Sequence, residues 1–273
     1  MRGEFVDLGG ARLYYYAAGT RGQGEPVVFI HGFPTSSYLW SGVLAHVPAG
    51  HRVVVLDLLG YGRSDRPNGR DVSVRGHAGR VVELMDALGI NYACLVGHDV
   101  GGGVAQEIAI RHPTRVSRLC LVDSVAFDMW PGHEVKVARA MSALTRYLPA
   151  TWLLSVLRTD LLRGYVDRER GTRTIERYVR PFASADGRDA FFEHLTALDN
   201  ADTVALEPRL RNVVQPTAIV WGAEDPFLPS AIGERLRDEI SGATLTVIPG
   251  QRHFVPEEAP DRVGATIAEL LLR

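Results

Sequence analysis

Leu95-Val96-Gly97-His98-Asp99-Val100-Gly101-Gly102 carries an apolar strand straight into a glycine-rich helix start. The frame Gly-x-nucleophile-x-Gly is that of a nucleophile elbow, a strained turn that presents one side chain between a strand and a helix. The turn is so tight that small residues must flank the central one, or strand and helix cannot approach. Aspartate, not serine, holds the central position here. A glycine-rich turn with an N-capping aspartate would satisfy the same eight residues, so the rest of the chain has to decide.

Working outward, short apolar runs occupy residues 27–30, 52–58, 93–97, 119–123, 217–221 and 244–248. Continuous Val/Ile/Leu runs of this kind suit strands buried on both faces of a parallel sheet. Residues 5–8 and 11–17 flank Gly9-Gly10 as an opening β-hairpin. Helical spacing appears over 73–88, where Val74, Val81, Leu84, Met85 and Leu88 share a face. It appears again over 103–111, ahead of Pro113, and over 258–272. Strand and helix alternate, which predicts an α/β fold with a mostly parallel, doubly wound sheet. The alternation stops near Ala126 and resumes at Thr217, with prolines at 131, 149, 181 and 208 between. The expected organisation is a core of residues 1–125 and 212–273 with a helical cap inserted at 126–211.

Composition narrows the class. A chain of 273 residues, 46% hydrophobic and 23% charged, with a net charge of -2, is an ordinary globular chain with no basic field for nucleic acid or anionic membrane. The two cysteines, Cys94 and Cys120, lie in apolar runs and make neither a disulfide framework nor a metal site. No run reaches the roughly 18 uncharged apolar residues of a membrane span, and residues 1–7 lack the apolar core of a signal peptide. A cytoplasmic address follows as the expectation.

Three further motifs surround the elbow. Val28-Phe29-Ile30-His31-Gly32-Phe33-Pro34 is a strand followed by a loop able to aim a backbone N–H, so the N–H groups of Phe33 and Val100 are the candidate oxyanion hole. His31 reads as a brace for that loop. Ile219-Val220-Trp221-Gly222-Ala223-Glu224-Asp225 sets a carboxylate past one strand, and Val247-Ile248-Pro249-Gly250-Gln251-Arg252-His253 sets a histidine past the next. Loops at the carboxyl ends of parallel strands converge on one crevice, so Asp99, Asp225 and His253 can meet. Nucleophile, acid and histidine follow each other in that order.

With Asp57-Leu58-Leu59-Gly60-Tyr61-Gly62-Arg63-Ser64-Asp65-Arg66-Pro67 and Arg111-His112-Pro113 added, nearly the whole chain resembles the α/β-hydrolase superfamily. The Gly-His-Asp-x-Gly elbow resembles its aspartate-nucleophile branch of epoxide hydrolases and of haloalkane and haloacetate dehalogenases. The resemblance implies an α/β-hydrolase fold, and Asp99 attacking a saturated carbon to form an alkyl ester. His253, oriented by Asp225, then activates water against that ester. It implies no cofactor and no metal. In part of the dehalogenase branch the acid follows the strand after the nucleophile helix, which makes Asp123 the alternative acid. Asp225 fits the commoner Trp-Gly-x-x-Asp frame, and Glu224 ranks third.

The resembled epoxide hydrolases donate to the epoxide oxygen from cap tyrosines, and the haloalkane dehalogenases hold halide with a tryptophan after the nucleophile and often an asparagine in the oxyanion loop. Val100 and Phe33 stand at those positions, which turns the expectation toward an epoxide hydrolase. Tyr147, Tyr178 and Trp152 are the expected substrate-binding aromatics, with Tyr165 and Trp130 as further donors. The alternatives are a haloalkane or haloacid dehalogenase, with Arg158 or Arg180 gripping a carboxylate, and a non-hydrolytic ligand-binding protein of the same fold. The expected partners are a small hydrophobic organic substrate and water, with a homodimer as one possible assembly.

Overall fold

A computed structural model of the chain describes residues 3–19 and 24–273. The apolar runs form one eight-stranded sheet in the order β1-β2-β4-β3-β5-β6-β7-β8. β1 (Gly3–Asp7) and β2 (Arg12–Ala18) are an antiparallel hairpin, and β2 pairs antiparallel with β4 (Val53–Leu56). Every other pairing is parallel, through β3 (Val27–Ile30), β5 (Ala93–Asp99), β6 (Val116–Ser124), β7 (Thr217–Gly222) and β8 (Thr244–Ile248). All of β3, β5 and β7 is buried. Helices and neighbouring strands cover them, which is why their sequences run apolar without alternation.

α1 (Val74–Ala87) starts at Ser73, whose hydroxyl accepts the Gly76 N–H, and buries Val74, Ala78, Val81, Leu84 and Met85. α2 (Val100–Arg111) begins three residues before the apolar pattern shows it, because Gly101, Gly102 and Gly103 have no side chains to display a period. Between β6 and β7 lie α3 (His133–Ala140), α4 (Ser142–Thr145), α5 (Ala150–Leu161), α6 (Arg168–Val179), α7 (Ala185–Ala197) and α8 (Ala201–Leu206). This stretch contains no strand among the described residues.

α9 (Ala231–Glu239) was not legible in sequence, since Ile232, Gly233 and Leu236 alone are buried in a charged segment. The terminal helical pattern divides into α10 (Val255–Glu258) and α11 (Pro260–Leu271), because a proline suits the first turn of a helix and cannot continue the one before. Among the described residues no helix is long and apolar enough to cross a membrane. Cys94 and Cys120 are free and buried.

Candidate active site

Asp99 ends β5 and is the N-cap position of α2, with φ 52° and ψ -123°. A non-glycine residue at positive φ costs conformational energy that the surroundings must offset. Close approach of backbone holds it there. A Cβ on Gly101 would sit 2.3 Å from the Ile30 carbonyl oxygen, so the first turn of α2 presses on the end of β3. A Cβ on Gly32 would sit 2.4 Å from Asp99 Oδ2, so only glycine lets the loop after β3 reach the carboxylate.

That approach delivers two donors. The Phe33 N–H donates to Asp99 Oδ2 at 2.8 Å, and the Val100 N–H also bonds the carboxylate. Burial raises the Asp99 carboxyl to about 6, while His253 and the two backbone N–H groups pull the other way. His31 braces the loop from beneath. Its Nδ1–H donates to the Gly32 carbonyl at 2.9 Å and its Nε2 accepts from the Leu58 N–H at 2.9 Å, a pattern that requires the neutral ring. Burial depresses its pKa accordingly.

His253 follows β8, and its Nδ1 lies 2.8 Å from Asp225 Oδ2, with both side chains buried. Asp225 Oδ1 accepts the N–H groups of Phe227 and Leu228 at 2.8 and 3.1 Å, which leaves Oδ2 for the imidazole. His98 holds the other side of the loop: its buried ring donates from Nε2 to the His253 carbonyl at 2.9 Å. Burial opposes charge on His253, but Asp225, Asp99 and Asp123 together raise it to about 9.

Asp123 is the last residue but one of β6, at φ 40°. Its Oδ1 accepts the Gly222 N–H at 2.8 Å, and its buried Oδ2 has no partner among the described residues. Burial, reinforced by the charge of Asp225, pushes its carboxyl well above the usual range. Of the three acids weighed from the sequence, Asp225 is therefore the one hydrogen-bonded to His253. Glu224 is exposed.

A cavity of about 90 Å³ lies over Asp99 and His253. Apolar groups form most of its wall, among them Phe33, Leu157, Leu161, Leu198 and Phe227, and Asp160 contributes a carboxylate from α5. Asp160 Oδ1 accepts from Arg163 Nη1 at 2.8 Å.

The expected aromatics do not line this cavity. Tyr147 is 81% exposed and Trp152 45% exposed. α5 turns Leu153, Leu154, Leu157 and Leu161 inward, which puts Trp152 on the outer face. Tyr178 is buried on α6, but its hydroxyl donates to Glu257 at 2.5 Å, and the Tyr165 hydroxyl donates to the same carboxylate at 2.9 Å. Trp130 Nε1 donates to Thr203 Oγ1 at 2.8 Å. Arg158 pairs with Glu176 at the surface, and Arg180 lines a different cleft.

Sequence reasoning passed over His98, whose signal is its place beside the elbow residue, and Asp160 and Glu257, which carry no local motif. Among the described residues no group of three or more His, Cys, Asp or Glu side chains is placed to hold a metal ion.

Residues 25–260 match a model of the alpha/beta hydrolase fold family. Haloalkane dehalogenase 2 of Mycobacterium tuberculosis is 28% identical over 277 residues, covering 97% of this chain and 93% of the relative. Epoxide hydrolase 4 of Mus musculus is 26% identical over 278 residues, covering 94% and 76%. The crystal structure of an alpha/beta hydrolase fold protein from Burkholderia ambifaria superposes with a TM-score of 0.88 at 27% identity, covering 99% of this chain and 97% of the other.

Proposed function

The chain belongs to the alpha/beta hydrolase fold family, and we propose that it is a hydrolase that cleaves a carbon–heteroatom bond through an alkyl ester on Asp99. One observation carries the proposal: the elbow carboxylate receives the Phe33 and Val100 N–H groups and shares its cavity with His253, itself bonded to Asp225. A carboxylate needs no base before it attacks. With its carboxyl near 6, Asp99 is ionised at neutral pH and can displace a leaving group from a saturated carbon.

Esterification then removes the charge of Asp99, one of the charges that keep His253 protonated. The imidazole becomes a better base at the stage where a base is needed. Neutral Nε2 takes a proton from water as the water oxygen attacks the ester carbonyl. The two N–H groups bear the tetrahedral oxyanion. Its collapse expels an alkoxide that takes the proton back from His253 and leaves Asp99 as the acid, whose proton then passes to the neutral imidazole to restore the carboxylate.

The wall opposite Asp99 bears on the bond cleaved. An epoxide oxygen leaves as an alkoxide and needs a proton, whereas a halide leaves as a stable anion. The cavity offers no phenol or indole from the cap, because Tyr147 and Trp152 face outward and Tyr178 is committed to Glu257. We therefore read the bond as carbon–halogen in a substrate of a few carbons, consistent with the small volume and with the dehalogenase relative. Epoxide opening is the second reading. It is favoured by Val100 and Phe33, which lack side-chain N–H donors for a halide.

Halide release from small haloalkanes and diol formation from small terminal epoxides, measured side by side, separate the two. His253→Gln should trap substrate mass on the peptide containing Asp99. Binding without turnover or adduct would point to a ligand-binding protein. Heavy-oxygen label passing from water directly into product, with none in the protein, would make Asp99 a general base and overturn the proposal.

A further inference from the structure

A second cavity, of about 880 Å³, shares no lining residue with the one over Asp99. Core loops form one side and the end of α6 with the chain after it forms the other. Arg63 and Arg66 come from the first side, Arg177 and Arg180 from the second. None of these four guanidinium groups forms a salt bridge among the described residues. Arg63 donates to the Tyr14 hydroxyl at 3.0 Å, Arg66 to the carbonyls of Gly60 and Pro181, and Arg177 lies over the Tyr38 ring at 4.5 Å. Their neighbours on α6 behave differently: Arg173 pairs with Glu169 and Arg170 with Asp167.

The one carboxylate in the cleft wall pairs with none of the four guanidinium groups and is outnumbered by them. Asp57 accepts the Ser37 N–H at 2.7 Å on Oδ1 and the Arg63 N–H at 2.8 Å on Oδ2, so both its oxygens are bound by main chain. Beyond the wall, Asp186 acts on Arg66 through its charge without bonding it. Four positive side chains thus converge on one cleft in a chain of net charge -2.

We propose that this cleft binds a small organic diphosphate, bridging the core and the β6–β7 segment. Guanidinium forks match phosphate oxygens two at a time, and four of them from two sides suit two linked phosphates better than one. Hydroxyls of Ser37, Ser184 and Tyr38 in the same wall add donors. The volume exceeds what phosphates alone fill and leaves room for an organic body. The proposal stands apart from the chemistry assigned to Asp99.

Titration calorimetry with inorganic pyrophosphate, beside inorganic phosphate, tests it at low and at high salt. Saturable one-site binding is expected, tighter for pyrophosphate and weakened by salt. Arg177→Gln with Arg180→Gln should weaken it by at least about tenfold, a loss of roughly 1.4 kcal/mol. Both residues are exposed, and Arg209→Gln with Arg211→Gln, two exposed arginines outside the cleft, serves as the charge-matched control. Absence of saturable binding at low salt, equal affinity for phosphate and pyrophosphate, or equal loss in the control pair would each overturn the proposal.

Discussion

Converting Asp225 to asparagine should stop the proposed reaction at the ester. In the native protein Asp225 Oδ1 accepts two main-chain N–H groups and Oδ2 accepts His253 Nδ1–H. Asparagine has one carbonyl oxygen and cannot serve both. The backbone donors cannot move away, so the oxygen stays with them and the amide NH2 turns to His253. Nδ1 must then accept, which puts the proton on Nε2, where the base is needed. Amidating a triad acid with geometry intact slows turnover by on the order of 10⁴, and that loss should fall on ester hydrolysis. Alkylation should change little, because Asp99 stays ionised.

Asp123→Asn makes the contrast. Burial pushes that carboxyl well above the usual range, Oδ1 already accepts from Gly222, and Oδ2 has no partner among the described residues, so a nearly isosteric amide breaks no hydrogen bond to His253. Turnover should stay within about tenfold of wild type, under about 1.4 kcal/mol of barrier. Rapid quench followed by intact mass measurement reads the ester directly, and Asp225→Asn should accumulate close to one adduct per chain. If Asp123→Asn accumulates ester and Asp225→Asn turns over normally, the hydrogen bond to Asp225 is not the catalytic one.

Three further outcomes follow from the same geometry. With the Asp99 carboxyl raised to about 6 by burial, kcat/KM for the alkylation step should fall as pH drops through about 6, and an acid limb near the ordinary carboxylate value would contradict the buried site. Gly101→Ala should destabilise the fold by about 1–3 kcal/mol, read as a lowered Tm, because its Cβ meets fixed backbone at Ile30; an unchanged Tm would mean that α2 can shift off β3. The Glu257 carboxyl is raised by burial to about 7 despite its tyrosine donors. A raised carboxyl adds stability that is full below its unfolded value of 4.5 and is lost as pH climbs through 7. Glu257→Gln should therefore raise Tm at pH 8 relative to wild type and flatten the decline between pH 5 and 8, and a lower Tm at pH 8 would show that the charged form is the one favoured.

The sequence alone determined the sheet, its order of motifs and the elbow. Those features follow from local constraints: apolar runs where strands are covered on both faces, and Gly32 and Gly101 where backbone meets backbone or carboxylate. It also placed Asp99, Phe33, Val100, Asp225 and His253 in loops that meet, since strand ends in a parallel sheet share one edge. Between Asp225 and Asp123 the sequence preferred Asp225 for its Trp-Gly-x-x-Asp frame, and only the tertiary structure shows which oxygen reaches His253 Nδ1. The aromatics between β6 and β7 were beyond sequence altogether. Tyr147, Trp152 and Tyr178 have the right chemistry, but a single turn of helix decides whether a ring faces a cavity, solvent or Glu257. For Trp152 that rotation is set by the packing of Leu153, Leu157 and Leu161 of α5 against the core, a contact between segments distant in the chain.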